Sequence, residues 1–220
     1  RQLRRRRPDV VMSLELGARS LGAVRYCHRH RETRSILCTY MSEHTERHRG
    51  RARELLRRYL VRRCDAMTYN GPSCRSYLEG LGADASQLYP LPYAADDRYF
   101  CHASVQRDET RVRNRLLYVG QLSERKGVLL MLQQLADYCR RRPMRTVEVR
   151  LAGNGPLRCA IEQFRTPENL SVHLLGNVPT AELGDQMLDC GATIAPTLAD
   201  EWLLVVNEAL QSGLPVIGSR

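Results

Sequence analysis

The chain has 220 residues and a formal net charge of +10, and its 43% hydrophobic and 26% charged content is ordinary for a globular protein. No apolar run approaches the length of a membrane span, which excludes an integral membrane class for this stretch. None of the eight cysteines forms a C-x2-C pair, which excludes zinc-ribbon and thioredoxin-type sites. No signal peptide is recognised before the first strand, so we expect free thiols in a reducing cytosol.

The positive charge is concentrated in the first half of the chain. Residues 1–100 carry a net charge of +9, and the remaining residues carry +1. Such a surface suits an acidic partner, either anionic lipid or nucleic acid. The alternative is an Arg-rich genome with charges spread over solvated helices, because 33 of the 34 basic residues are Arg. The single lysine, Lys126, therefore indicates a position that favours a compact ammonium group.

The first part of the chain alternates apolar strand-like runs with helical spacing. Strands are predicted over 8–14, 35–40, 65–70 and 88–92. Helices are predicted over 17–30, 51–63 and 71–81. Short connections between alternating strands and helices are typical of a parallel sheet.

Two stretches of the first half stand apart from this alternation. The polar loop 42–50 precedes the basic helix 51–63, whose apolar side is predicted to hold Leu55, Leu56, Tyr59 and Leu60. Residues 96–113 are polar and show no period, so we expect a first domain over 1–95 and a linker over 96–113.

Residues 114–220 are predicted to form a second parallel-sheet domain. Its strands are predicted over 115–119, 147–151, 171–175, 192–196 and 215–218. Its helices are predicted over 128–141 and 157–164, from residue 180, and from residue 203 or 204 to Gly213. Gly213 is a typical residue just past a helix end, and Pro215 prevents the helix from continuing. The fold class is therefore α/β, with two Rossmann-like domains.

Polar residues follow several of these strands, at the edge where open α/β sheets bind ligands. Gly120 and Gly127 bracket Lys126, a pattern that suits a diphosphate, although a solvated loop lysine gives the same pattern. Asp200 precedes the helix that carries Glu208, and the free N–H groups near Leu204 and Val205 suit a phosphate. The alternative is that the acids only favour the helix dipole or face solvent.

The run from Asp200 to Ile217 resembles the acid-x7-acid motif of retaining glycosyltransferases of family 4, which have the GT-B fold. The shared residues are Asp200, Trp202, Val205, Val206, Asn207, Glu208, Ala209, Leu210, Gly213, Leu214, Pro215, Val216 and Ile217. Three further segments resemble family loops, namely Gly120–Gly127, Gly153–Pro156 and Leu175–Pro179. The family's Thr-Ala-Glu-Leu run is also present at residues 180–183.

The resemblance implies a role for each matching residue. Gly120, Gln121, Lys126, Asn154 and the amides of Leu204 and Val205 would lie at the nucleotide-sugar, with Lys126 on the diphosphate. The backbone of Val178 would contact the base, and Glu208 would hold the ribose. Asp200 would orient the sugar hydroxyls, with Glu201 as its rival. On the first domain, His44 is the candidate for the catalytic histidine, with Glu43 as the alternative.

Two residues depart from the family pattern. Leu203 replaces the usual Gly, and Gln121 replaces the usual Arg, for which Arg125 is a candidate substitute. Both departures keep open a catalytically inactive GT-B nucleotide-sugar binder. A basic nucleic-acid-binding module and a same-fold epimerase or phosphorylase are further alternatives, and the phosphorylase is disfavoured because the single lysine already has a place.

The resemblance implies a retaining hexosyltransferase that acts on a glycan or a lipid-linked acceptor. No metal and no cofactor beyond the nucleotide-diphosphate sugar are expected, because Lys126 and a helix N-terminus can balance the diphosphate charge. We expect no nucleic-acid partner and a cytoplasmic protein, with its basic helix 51–63 on an anionic membrane surface at the inner face. We also expect the chain to be a fragment, with strands before Arg1 and a closing helix after Arg220.

Overall fold

The computed structural model describes residues 2–46, 50–100, 108–200 and 202–219. The chain forms two compact units. The first unit comprises Arg1–Tyr93 with Asp200–Trp202, and the second comprises Ala94–Ala199 with Leu203–Arg220.

The first unit contains a parallel sheet with the strand order β1-β2-β3-β4 among its described residues. The strands are β1 Val10–Leu14, β2 Arg34–Cys38, β3 Ala66–Tyr69 and β4 Leu88–Pro90. The helices are α1 Gln2–Arg6, α2 Ala18–Arg29, α3 Glu43–Glu46, α4 Arg51–Val61 and α5 Pro72–Leu81. Every predicted strand and helix of this half is therefore present, within a few residues of its predicted ends.

The core of the first unit lies between the sheet and helices α2, α4 and α5. Its fully buried side chains include Leu37 and Met67 from the strands and Leu60 and Leu78 from the helices. Alternate side chains of β1 point away from this core, and Met12 and Leu14 are 63% and 71% exposed. The first strand, predicted as buried, is thus buried on one face.

The second unit contains a parallel sheet with the strand order β7-β6-β5-β8-β9 in the part of the chain that is described. The strands are β5 Arg115–Val119, β6 Val147–Ala152, β7 Leu170–Gly176, β8 Ala192–Ala195 and β9 Val216–Gly218. The helices are α6 Asp97–Phe100, α7 Glu109–Val112, α8 Val128–Arg141, α9 Arg158–Glu162, α10 Thr180–Leu188 and α11 Leu204–Gln211. The prediction of two parallel-sheet α/β domains is confirmed.

Helices cover both faces of the second sheet. Side chains alternate between the two faces along each strand, so the strands contribute to two separate clusters. Tyr118 and Val149 face the cluster that includes α8, whereas Leu117 and Ala152 face the cluster that includes α10 and α11. The stretch expected as a linker adds to this second cluster, since Phe100 at the end of α6 is 1% exposed. The sequence did not predict the buried position of Phe100, because the residues around it are polar and show no period.

Candidate functional site

Three loops meet at the carboxyl edge of the second sheet, where β5, β6 and β8 end. The N–H of Leu122, in the loop after β5, donates to the carbonyl oxygen of Asn154 in the loop after β6, at 3.0 Å. The N–H of Leu198, in the loop after β8, donates to the carbonyl oxygen of Arg125 at 2.9 Å. The loop after β5 is therefore fixed on both sides by backbone hydrogen bonds.

Two glycines allow this close approach. Gly153 has a φ of +143°, and a Cβ atom there would lie 1.9 Å from the carbonyl oxygen of Gly120. Gly127 has a φ of +65°, and its Cβ would lie 2.2 Å from the carbonyl oxygen of Pro196. Since real Cβ atoms do not come this near to backbone oxygens, the loops can meet only if these positions are glycine.

Lys126 closes the loop after β5. It is the last residue of a 3-10 turn, Glu124–Lys126, and it is half-buried. Gly127 follows as the N-cap of α8, so the lysine sits where the chain turns into a helix. Its neighbour Arg125 donates from Nη1 to the carbonyl oxygen of Ala199 at 2.8 Å, next to the predicted site residue Asp200.

The helix predicted to present free amides begins at Leu204. Its N-cap residue, Leu203, makes no side-chain capping hydrogen bond, so the first N–H groups of α11 have no cap from that side chain. Leu203 has φ −84° and ψ 87°, a backbone conformation open to any residue. The replacement of the usual glycine by Leu203 therefore causes no backbone strain here.

Glu208 lies on the second turn of α11 and is half-buried. Burial removes water from its carboxyl group and raises the pKa of Glu208. No described residue donates a hydrogen bond to this carboxylate or forms an ion pair with it. A half-buried carboxylate without a protein partner is well placed to accept hydroxyl groups of a ligand.

The remaining predicted residues of this edge have modest side-chain roles. The Oδ1 atom of Asn154 accepts from the N–H of Gly155 at 2.9 Å and so shapes its own turn. The side chain of Gln121 is exposed, and its carbonyl oxygen accepts from the hydroxyl of Tyr118 at 2.7 Å. Val178 is half-buried against the cluster that includes α10 and α11. Their proposed contacts with a ligand stay predictions.

Two predicted residues, Asp200 and His44, belong to the first unit. Asp200 groups with the first unit, as does Trp202, whose ring meets that of Tyr93 edge-on with a centroid distance of 6.3 Å. Glu201, the rival of Asp200, is outside the described residues. His44 lies on α3, and its side chain is outside the described part of the chain. The catalytic roles of these residues stay predictions.

Sequence reasoning missed a polar cavity in the first unit, built around Arg57. This residue is 4% exposed, whereas Leu55, expected on the apolar side of the same helix, is 67% exposed. Arg57 precedes Leu60 and Val61 by three and four residues and so shares their buried face. This helical spacing was visible in the sequence, but an arginine is rarely fully buried.

The guanidinium of Arg57 is partnered by two side chains. Its Nη1 pairs with the Glu46 carboxylate and donates to the hydroxyl of Tyr77 at 2.7 Å. Burial acts to lower the pKa of Arg57, but the hydrogen bonds to Glu46 and Tyr77 outweigh it and the pKa is raised. Arg57 therefore keeps its positive charge although its side chain is buried in the domain.

The described ranges contain no group of three or more His, Cys, Asp or Glu side chains placed to hold a metal ion. No helix in the same ranges combines the length and the apolar character that membrane crossing needs.

The second half of the chain is similar to a known protein family. Residues 113–220 match the family described as Glycosyl transferases group 1. Over 161 residues the chain is 27% identical to the MMP alpha-(1->4)-mannosyltransferase of Mycolicibacterium hassiacum, a match that covers 71% of this chain and 37% of that protein.

Solved structures resemble the chain over nearly its whole length. The structure of Anabaena HepE in complex with UDP matches with a TM-score of 0.75 and 18% identity, over 96% of this chain and 60% of that one. Sucrose-phosphate synthase from Thermosynechococcus elongatus matches with a TM-score of 0.66 and 16% identity, over 99% of this chain and 57% of that one. The fold is that of GT-B glycosyltransferase structures, and the chain spans 37% to 60% of the length of these relatives.

Proposed function

We propose that this chain is part of a glycosyltransferase that moves a hexose from a nucleotide-diphosphate sugar to a hydroxyl group of a glycan or lipid-linked acceptor. The observation that carries the proposal is the loop cluster at the carboxyl edge of the second sheet. Backbone hydrogen bonds hold the Lys126 loop between the loops that contain Asn154 and Leu198. The family match of residues 113–220 supports glycosyl transfer, and the likeness to the UDP complex of HepE supports a nucleotide-sugar donor.

In this proposal the second unit binds the donor. Lys126 and the first amides of α11 would hold the diphosphate, since an ammonium and a helix N-terminus both favour negative charge. The Glu208 carboxylate would accept the ribose hydroxyls, and the backbone near Val178 would hold the base. No metal is required in this scheme, because the leaving diphosphate is balanced by Lys126 and the helix.

The transfer step would break the bond between the anomeric carbon and the phosphate oxygen. The acceptor oxygen would form the new bond on the same face of the sugar, and the acceptor proton would pass to the leaving phosphate. Asp200 would orient the sugar hydroxyls, and His44 would be the catalytic histidine. The likeness of residues 200–217 to the acid-x7-acid motif supports retention, and the mannosyltransferase relative supports a hexose.

The first unit would serve the acceptor, at the inner face of a membrane. On α4, the 67% exposed Leu55 lies one turn from Arg51 and from Arg58. Arg58 also pairs with Glu54 at 2.9 Å, so Arg51 would meet the headgroups of an anionic lipid surface while the leucine inserts into it.

The test is calorimetric titration of the chain with UDP, GDP and ADP at physiological salt. We expect one of them to bind, and Lys126→Ala and Glu208→Ala each to weaken binding at least about tenfold, because each removes a charged partner. Arg141→Ala is the matched control, since it removes one exposed positive charge from the same unit.

Two outcomes would contradict the proposal. Equal nucleotide affinity in the Lys126, Glu208 and Arg141 variants would show that Lys126 and Glu208 do not bind the nucleotide. Binding of a random DNA duplex in place of all three nucleotides, with a steep salt dependence, would favour the nucleic-acid-binding alternative instead.

A further inference from the structure

The loop after β8, residues 196–199, is fixed on two sides within the second unit, where β8 lies between β5 and β9. The carbonyl oxygen of Thr197 accepts from the hydroxyl of Ser219, the residue that follows β9, at 2.6 Å. On the other side, the carbonyl oxygen of Pro196 lies so near Gly127 that a Cβ atom there would be 2.2 Å away. The backbone of this loop therefore has little freedom to shift as a whole.

Arg125 contacts the loop through both its backbone and its side chain. Its carbonyl oxygen accepts from the N–H of Leu198 at 2.9 Å, and its Nη1 donates to the carbonyl oxygen of Ala199 at 2.8 Å. The hydroxyl oxygen of Thr197 lies 3.5 Å from the same carbonyl oxygen of Arg125. One residue of the loop after β5 thus contacts three consecutive residues of the loop after β8.

The side-chain hydrogen bond of Arg125 is made at the end of this loop. Ala199 directly precedes Asp200, the residue proposed to orient the sugar hydroxyls. The carbonyl oxygen of Ala199 and the Cα atom of Asp200 belong to one planar peptide unit, so a donor that fixes the oxygen also fixes that Cα atom. The guanidinium carries a permanent positive charge, which strengthens such a hydrogen bond.

The same contact bears on the departure at Gln121. Arg125 is the candidate substitute for the arginine that the family usually has at that position. A residue that replaced it would donate to the diphosphate of the donor. The Nη1 atom of Arg125 donates instead to a carbonyl oxygen of the protein, which indicates a role in the loop.

We propose that Arg125 is a positioning residue of the donor site and acts through Asp200. Its hydrogen bond to Ala199 fixes the backbone from which the Asp200 carboxylate meets the sugar. The inference rests on the proposed function, because that proposal assigns the sugar contact to Asp200. It divides donor binding into two parts, since Lys126 and α11 hold the diphosphate whichever sugar is attached, whereas Arg125 affects the sugar alone.

The test compares a free nucleotide with its sugar conjugate in calorimetric titrations of the complete 220-residue chain. The pairs are UDP with UDP-glucose, GDP with GDP-mannose and ADP with ADP-glucose. For the pair that binds, Arg125→Met should weaken the sugar conjugate about fivefold, because one charge-assisted hydrogen bond at an exposed position is lost. The free nucleotide should keep its affinity within about twofold. Arg125→Lys should restore part of the loss, because an ammonium group also donates to a carbonyl oxygen.

A double-mutant cycle with Asp200→Asn tests whether Arg125 acts through Asp200. Asp200→Asn alone should lose most of the affinity that the sugar adds to the nucleotide. Arg125→Met should then cause little further loss in the Asp200→Asn background, because the effects of residues that act together are not additive. The matched control is Arg141→Met, which removes an exposed arginine from the same unit and should change neither affinity.

The titrations can overturn the inference in several ways. Equal losses of free nucleotide and sugar conjugate in Arg125→Met would assign the guanidinium to the diphosphate. An unchanged affinity for the conjugate would show that the loop does not need this side chain. Fully additive losses in the cycle would mean that Arg125 acts independently of Asp200. A sugar that adds no affinity in the unaltered chain would leave Asp200 with no contact to position.

Amide hydrogen exchange separates this inference from the proposed function, because it needs no ligand. In Arg125→Met the N–H of Leu198 should exchange about fivefold faster, since the loop opens more readily, and Arg141→Met should leave it unchanged. Unchanged exchange in Arg125→Met would overturn the inference even if nucleotide binds. Faster exchange, with no nucleotide bound by any of the chains, would support the loop contact and contradict the glycosyltransferase proposal instead.

Discussion

Gly153 and Gly120 lie so close that a Cβ atom on Gly153 would be 1.9 Å from the carbonyl oxygen of Gly120. Gly153 also has a φ of +143°, which L side chains rarely adopt. We expect Gly153→Ala to destabilise the second unit by about 2–4 kcal/mol, because the clash must be relieved by moving backbone. Urea unfolding followed by the far-UV circular dichroism signal measures the change.

Gly22→Ala is the control for this prediction. Gly22 lies within α2, and a Cβ there would have no atom within 4 Å. Alanine should therefore stabilise α2 by about 0.5–1 kcal/mol through helix propensity. Equal effects of the two substitutions would contradict the loop contact described here.

The raised pKa of Glu208 predicts how stability depends on pH. Because burial raises this pKa above its value of 4.5 in the unfolded chain, the folded state binds the proton more tightly. The contribution of Glu208 is then most favourable at low pH and is lost as pH rises through the folded pKa. Glu208→Gln should match the unaltered chain near pH 4.5 and be more stable at pH 7.

Thermal unfolding at both pH values tests this expectation. The exposed Glu168 gives the control, since Glu168→Gln should change stability little at either pH. Nucleotide should stabilise Glu208→Gln less than it stabilises the unaltered chain at pH 7. A Glu208 variant that is less stable at pH 7 would show that the carboxylate has a protein partner.

Three charged side chains of the second sheet and Asp189, the C-cap residue of α10, form a closed ring of ion pairs. Arg115 contacts Glu148 at 3.0 Å and Asp189 at 2.9 Å, and Arg150 contacts the same two acids at 2.8 and 2.7 Å. Their side chains are between 17% and 28% exposed, so solvent screens the ring only in part. We expect Arg150→Met to destabilise the unit by about 1–2 kcal/mol.

A double-mutant cycle with Arg150→Met and Asp189→Asn should give a coupling energy of about 1 kcal/mol. The exposed pair Arg140 and Asp137, at 2.7 Å on α8, is the comparison and should couple by about 0.5 kcal/mol or less. A ring that couples no more strongly than this exposed pair would show that it adds nothing to stability.

The cysteines differ sharply in access to solvent. Cys159 on α9 is exposed, whereas the other described cysteines are buried. Burial raises the pKa of Cys64 to about 12 and that of Cys190 to about 11. In a Cys101→Ser background, which removes the one cysteine outside the described residues, we expect one thiol per native chain to react rapidly with Ellman's reagent at pH 8.

Cys159→Ser in that background should abolish the rapid reaction, and denaturant should expose the remaining buried thiols. Rapid reaction of two or more thiols in the native chain would mean that a core helix opens more readily than its packing suggests.

Helix and strand positions were largely readable from the sequence. The helix over 128–141 and the strand over 115–119 lie where their periodicity predicted them. The helix expected over 157–164 is shorter, Arg158–Glu162, because the local pattern does not fix where a helix end frays. The polar stretch 96–113 concealed α6, whose Phe100 packs into a core formed by distant segments.

What the sequence by itself determined was the order of strands and helices and the set of polar residues that follow the strands. Both are local properties, because they follow from apolar spacings of two to four residues and from the positions of Gly and Pro. The tertiary structure alone decided that Gly153 meets Gly120, that Arg57 is buried while Leu55 is exposed, and that Glu208 is half-buried without a protein partner. Each of these depends on contacts between segments far apart in the chain, because burial and close approach are set by how neighbouring elements pack.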